Sequence, residues 1–139
     1  MKWALEPADP AAIPRLRRQI MRSLSRRSGA ESDLDASELV VAELLSNALS
    51  HTTGRAWISL RWEGTHPLLS VADLGPEFPI ASYPGLIDAD GSLLPRLPDD
   101  LLAEGGRGLY LIAHLALDVA VAPRTTGGSV VSVILDLRR

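Results

Sequence analysis

The 139-residue sequence contains no cysteine, which excludes disulfide frameworks, thiolate metal sites and cysteine nucleophiles together. It has no surplus of positive charge. The formal net charge is -3, so composition gives no reason to expect direct nucleic-acid binding. No apolar run is long enough to span a bilayer; the longest candidate, Leu109 to Ala122, is broken by His114 and Asp118. The opening Met-Lys-Trp-Ala-Leu-Glu-Pro lacks the apolar stretch of a signal peptide. These absences predict a soluble, cytoplasmic protein with no membrane partner.

With 46% hydrophobic residues in 14.9 kDa, the chain can bury one core but hardly two, which predicts a single domain over residues 1–139. The basic residues are thirteen arginines and one lysine, and six of those arginines fall between Arg15 and Arg27. The remainder of the chain is distinctly acidic.

Trp3 to Leu5 reads as a short strand ended by Pro7. Asp9 then caps a helix with Pro14 in its first turn, where a missing N–H is harmless. Ile13, Leu16, Ile20 and Leu24 form its apolar stripe, with Arg15, Arg18, Arg22 and Arg26 mostly off it. Gly29 stops this helix. A second begins at Ser32 or Asp33 and runs to about Ser50, with so many apolar positions that burial on most sides is expected. Ala56 to Glu63 and Leu68 to Asp73 read as strands joined through Gly64-Thr65-His66-Pro67.

Between Leu74 and Gly106 five prolines and several Gly and Asp make a long irregular stretch, of the kind that is usually functional. Leu109 to Leu117 reads as a helix, and Asp118 to Ala122 with Ser129 to Leu137 as a hairpin across Pro123 to Gly128. Interspersed helices and adjacent strand pairs predict a two-layer α/β sandwich. Its sheet is mixed or mostly antiparallel, with helices on one face. No glycine loop follows the first strand, which disfavours a Rossmann-type sheet.

Four local patterns carry possible chemistry. Glu43 and Asn47 are four apart on the second helix, with His51 one turn on, so the three share a face. Such a stripe either meets hydrogen-bond partners inside the protein or faces solvent; helix position alone leaves both open. Asp73 closes a strand, where its carboxylate can accept from an amine at the sheet rim, and Gly75 permits close backbone approach to a ligand. Asp-x-Gly is also a common turn. Gly105-Gly106-Arg107-Gly108 precedes a helix, an arrangement that can cradle phosphate or simply act as a hinge. Gly127-Gly128 leads into the last strand and suits a hairpin turn.

Taken in order, these patterns resemble the N, G1, G2 and G3 boxes of the Bergerat-fold (GHKL) ATPases. The short format resembles the anti-sigma-factor serine kinases of the RsbW/SpoIIAB type, over nearly the whole chain from about Trp3 to Leu137. The resemblance implies that ATP and Mg²⁺ are the cofactors. It implies that Asn47 holds Mg²⁺ bridging the phosphates, and that Glu43 is the general base for an attacking serine hydroxyl. By the same resemblance Asp73 bonds the adenine amino group and Gly75 passes beneath the base. Gly105, Gly106, Gly108, Leu109 and Gly128 border the nucleotide, and Arg107 stands where charge on the γ-phosphoryl group can be stabilised. Residues from about 78 to 104 correspond to the ATP lid. One departure is Glu77, at a position where the G1 box often carries a second glycine.

Neither a phosphoacceptor-histidine domain nor a transducer domain accompanies the module, which points away from sensor kinases, topoisomerases and chaperones. The resemblance therefore implies a regulator that phosphorylates an anti-anti-sigma (STAS) protein, sequesters a sigma factor, or both. Glu43 is expected of a serine/threonine kinase. Glu77 is better suited to a non-catalytic module that uses ATP only to regulate partner binding. The arginine-rich first helix reads either as a partner surface for acidic groups or as a solvated face. Trp3 and the first strand offer an edge for a homodimer.

Overall fold

The computed structural model describes residues 1–6, 9, 11–29, 32–51, 55–73, 111–123 and 129–139. In chain order these form β1 (Lys2–Leu5), α1 (Ala12–Arg27), α2 (Leu34–His51), β2 (Ala56–Glu63), β3 (His66–Asp73), β4 (Asp118–Pro123) and β5 (Ser129–Ile134). Residues 111–115 are also helical.

The five strands make one sheet in the order β1-β2-β3-β5-β4, and every pairing is antiparallel. The antiparallel form of the expected sandwich is thus the one adopted. Alternation along each strand sends one set of side chains to the helices. Leu60, Leu69, Val133 and Val119 lie in one row across the sheet. All four are buried, as are Ile58, Val71 and Val121 in the next row. The opposite face carries a row of Ser59, Ser70, Ser132 and Ala120, half-buried, with the Ser70 and Ser132 hydroxyls 3.2 Å apart. The described helices cover a single face.

α1 buries Ala12, Leu16, Ile20 and Leu24, leaving its arginines outward. The Asp9 carboxylate accepts the Ala11 N–H at 3.0 Å, and the helix begins only at Ala12. Asp9 therefore organises the approach to the helix instead of capping it. Its carboxyl is held below the ordinary carboxylate range by the Arg15 hydrogen bond, helped by that of Ala11. α2 is capped as expected, with the Ala36 N–H donating to Asp33 Oδ1 at 3.1 Å. Burial of α2 is less complete than its composition suggests. Asp35, Glu38, Leu39 and Ser46 are exposed, while Val40, Val41, Leu44, Leu45 and Ala48 face the core. Among the described residues no helix is long and apolar enough to cross a membrane.

Four strand boundaries differ from the sequence reading: β1 begins one residue earlier, at Lys2, β4 runs one residue further, to Pro123, and β3 and β5 differ by more. The β2–β3 turn needs only Gly64 and Thr65, because Gly64 adopts φ 62° and Glu63 pairs directly with His66. A positive first φ suits a tight two-residue hairpin, so His66 and Pro67 join β3. At the far end β5 stops at Ile134, three residues short of Leu137. One register step beyond Leu68↔Ile134, Leu135 donates its N–H to the Pro67 carbonyl at 3.0 Å. Pro67 has no N–H to return, and the ladder ends there. Leu135 and Leu137 are nevertheless buried, and the Gly29 N–H donates to the Arg138 carbonyl at 2.6 Å, fastening the residue after α1 to the segment that follows β5.

Leu45 is 0% exposed on the sheet side of α2. Leu45→Ala is expected to destabilise the fold by about 2–5 kcal/mol, the usual cost of an aliphatic core truncation. Urea unfolding should show a lower midpoint with an unchanged slope.

Candidate functional site

Three of the residues singled out from the sequence lie among those described: Glu43, Asn47 and Asp73. The connection from His51, the last residue of α2, to Ala56, the first of β2, spans residues 52–55 only. Ala56 is paired across the sheet with Asp73, and Asp73 in turn with Ser129. The C-terminal end of α2 therefore lies at the same rim of the sheet as Asp73, with Asn47 one helical turn before that end.

The helix-side row at this rim runs Leu5, Ala56 and Asp73, and the backbone of Ser129 pairs next to Asp73. Asp73 is 9% exposed in this row, and with Ser37 it makes up the buried polar residues of the described core. A carboxylate seldom accepts such burial without hydrogen bonding. Because β3 residues 69, 71 and 73 share one face, the Asp73 side chain belongs to the helix layer, not the open side.

Glu43 and Asn47 occupy the margin of α2, between its exposed stripe and its buried face, and both are half-buried. That answers the question left by the sequence: they are neither sealed in the core nor on the fully solvated side. From this margin a carboxylate and an amide can meet a ligand lying beside α2 while staying partly screened from water. α2 itself packs against α1 and β3, so the two side chains are held on a helix fixed on both sides.

Among the described residues no three His, Cys, Asp or Glu side chains gather as a metal cage. The donor set suits a cation that takes one protein oxygen, from Asn47, and completes its shell with phosphate and water, as Mg²⁺ does. Gly75, Glu77, the stretch 78–104, Gly105, Gly106, Arg107, Gly108, Leu109 and Gly128 lie outside the described residues, as does the His51 side chain. Ser129 is one neighbour that the sequence reading did not single out. Its place opposite Asp73 follows from the β3–β5 pairing, which no local pattern announces.

Comparison with known proteins bears on the family and the fold. The family model for the histidine kinase-like ATPase domain matches residues 6–135. The fold is similar to that of the mycobacterial sensor histidine kinase MprB, at 16% identity and TM-score 0.53, covering 99% of both chains. It is also similar to the catalytic domain of the histidine kinase ThkA in a nucleotide-free form, at 14% identity and TM-score 0.53. That match covers 98% of this chain and 95% of the other. A search of curated proteins finds no match. The antiparallel sheet with helices on one face, and the match over nearly the full length, give one conclusion: the chain belongs to the histidine kinase-like (GHKL) ATPase domain family and is an ATP-binding domain of that type.

Proposed function

We propose that this domain is a regulator of the anti-sigma type: a Mg²⁺-ATP-dependent serine/threonine kinase that phosphorylates an anti-anti-sigma (STAS) protein, sequesters a sigma factor, or both. The observation that carries the reading is the half-buried pair Glu43 and Asn47 on α2, beside the rim where Asp73 is buried. Asp73 would accept the adenine amino group, and by the resemblance of its motif Gly75 would permit the base to approach the backbone closely. The Asn47 side-chain oxygen would hold Mg²⁺, which would supply neutralisation of phosphate charge. By the resemblance of the sequence motifs, Gly105, Gly106, Gly108, Leu109 and Gly128 would serve phosphate binding, and Arg107 would stabilise charge developing on the γ-phosphoryl group. Glu43 accepts the proton of the attacking serine hydroxyl, a task for a carboxylate that is neither desolvated in a core nor free in water.

A second reading, a module that binds ATP and a partner without phosphoryl transfer, is favoured by Glu77 at the G1 box. A carboxylate near the nucleotide opposes the approach of phosphate. The two readings share the site and differ in the chemistry.

Calorimetric titration of ATP tests the shared part. Wild type is expected to bind more tightly with Mg²⁺ than without, and Asn47→Ala to lose about five- to tenfold of the Mg²⁺-supported affinity. Absence of ATP binding by folded wild type would overturn both readings. Incubation with labelled ATP and a STAS protein separates them: phosphoserine or phosphothreonine on the partner supports the kinase, and nucleotide-dependent complex formation without label supports the binding module.

A further inference from the structure

The nucleotide reading leaves the arginine face of α1 and the outer edge of β1 without a role. α1 carries Arg15, Arg17, Arg18, Arg22, Arg26 and Arg27. Arg15 pairs with Asp9 at 2.8 Å and Arg17 approaches Glu38 at 3.9 Å. Among the described residues, Arg22, Arg26 and Arg27 have no acidic partner. These three line a cleft of about 340 Å³ between α1 and β1, whose other walls include Met1 and Trp3. Uncompensated guanidinium groups therefore surround a partly apolar floor, a composition that suits a partner segment better than a solvated helix face does.

The floor of the cleft ends in a strand edge that is unpaired among the described residues. Met1 and Leu60 exchange two hydrogen bonds, each of 2.9 Å, which sets the alternation of the β1–β2 ladder. By that alternation Trp3 and Leu5 bond to β2, while the N–H and C=O groups of Lys2 and Ala4 point outward. Among the described residues β1 is the terminal strand of the sheet and nothing pairs with its outer edge, so these outward groups can template another strand. Residues on the helix side of an added strand would recur about every 6.7 Å, and Arg22 and Arg26 are about 6 Å apart along the α1 axis. Acidic side chains at alternate positions match that spacing.

We infer that β1 and the Arg22–Arg26–Arg27 face of α1 form a docking site for an extended segment of a partner protein carrying Asp or Glu at alternate positions. The segment adds as a sixth strand through Lys2 and Ala4 and places its carboxylates under the arginines. A second copy of this chain does not meet that description. Its own β1 reads Lys-Trp-Ala-Leu, and edge-to-edge pairing would set two arginine clusters against each other. This site is separate from the nucleotide rim, so its test needs no ATP and its outcome does not depend on that reading.

The probe is a fluorescein-labelled peptide of about ten residues alternating Glu and Thr, followed by fluorescence anisotropy with the full chain at about 50 mM salt. Saturable binding is expected. It should weaken about tenfold or more when Gln replaces Glu in the peptide, and equally when Arg22→Gln and Arg26→Gln are combined. Both arginines are exposed, so the double variant should keep the wild-type circular dichroism and melting temperature. N-methylation of one alternate set of peptide nitrogens should abolish binding while the other set tolerates it, because only one set faces Ala4 and Lys2. Ala4→Pro, which removes an outward N–H without touching the β2 ladder, should likewise weaken binding. The inference is overturned if folded wild type binds no peptide, if Gln and Glu peptides bind alike, or if both N-methylated sets bind alike. It is also overturned if a single-stranded oligonucleotide displaces the peptide and binds more tightly, which would make the cluster a polyanion site.

Discussion

Glu43→Gln is expected to lower phosphoryl transfer to a protein serine by about 10²–10⁴-fold, the range general-base catalysis supplies, while ATP affinity stays within about twofold. Gln keeps the size and the polarity of the side chain but cannot accept the hydroxyl proton. The split between the two readouts is the informative part. Glu43 stands half-buried at the margin of α2, not in its packed face, so the substitution removes no core contact. A loss of ATP binding equal to the loss of turnover would show Glu43 to be a binding group, and unchanged turnover would remove it from the chemistry altogether. Single-turnover kinetics with saturating ATP make the measurement independent of product release.

Asp73→Asn is expected to weaken ATP binding by about 10–100-fold, the equivalent of one charge-assisted hydrogen bond of about 1.5–3 kcal/mol. The same change should narrow the preference for ATP over GTP. A carboxylate only accepts and so meets the 6-amino group of adenine well and the 6-oxo group of guanine badly, whereas an amide can either donate or accept. Because Asp73 is 9% exposed in the core row between Ala56 and Ser129, the apo variant must first be shown to melt cooperatively near wild type. Asn is close in size and keeps hydrogen-bonding capacity, so the fold should survive it. ATP affinity unchanged in a folded variant would sink the adenine-binding role of Asp73.

Much of this architecture was legible from local pattern. The stripe Leu16, Ile20 and Leu24 announced α1, and Asp33 marked the start of α2 through the carboxylate it offers to Ala36. Alternation over Ala56 to Glu63 marked β2 with its bounds as observed, because a half-buried strand carries period two in its sequence. The differences have causes of another kind. Whether Gly64-Thr65 closes a hairpin alone or with His66-Pro67 depends on the φ of one glycine, and residue identity permits either sign there. The early end of β5 depends on Pro67, which is remote in sequence and lies opposite Leu135 only once the sheet has formed.

The site divides in the same way. Spacing alone put Glu43 and Asn47 on one helix face, since four residues bring a side chain round one turn. Sequence likewise fixed the strand ending at Asp73, the glycine clusters, the absence of thiol chemistry and the concentration of arginine on one helix. It did not decide how deep any of these side chains sits. Depth is a property of neighbours, and the neighbours of Asp73 are supplied by β2 and β5, whose registers follow from packing across the whole sheet. Tertiary structure alone made Leu39 exposed and Leu45 buried on one apolar helix. It also left the margin carrying Glu43 and Asn47 half-open, and set three arginines that lack an acidic partner among the described residues beside the outer edge of β1. The physical reason is common to all three: a helix presents every direction in its sequence, and only the sheet it packs on selects which direction loses its water.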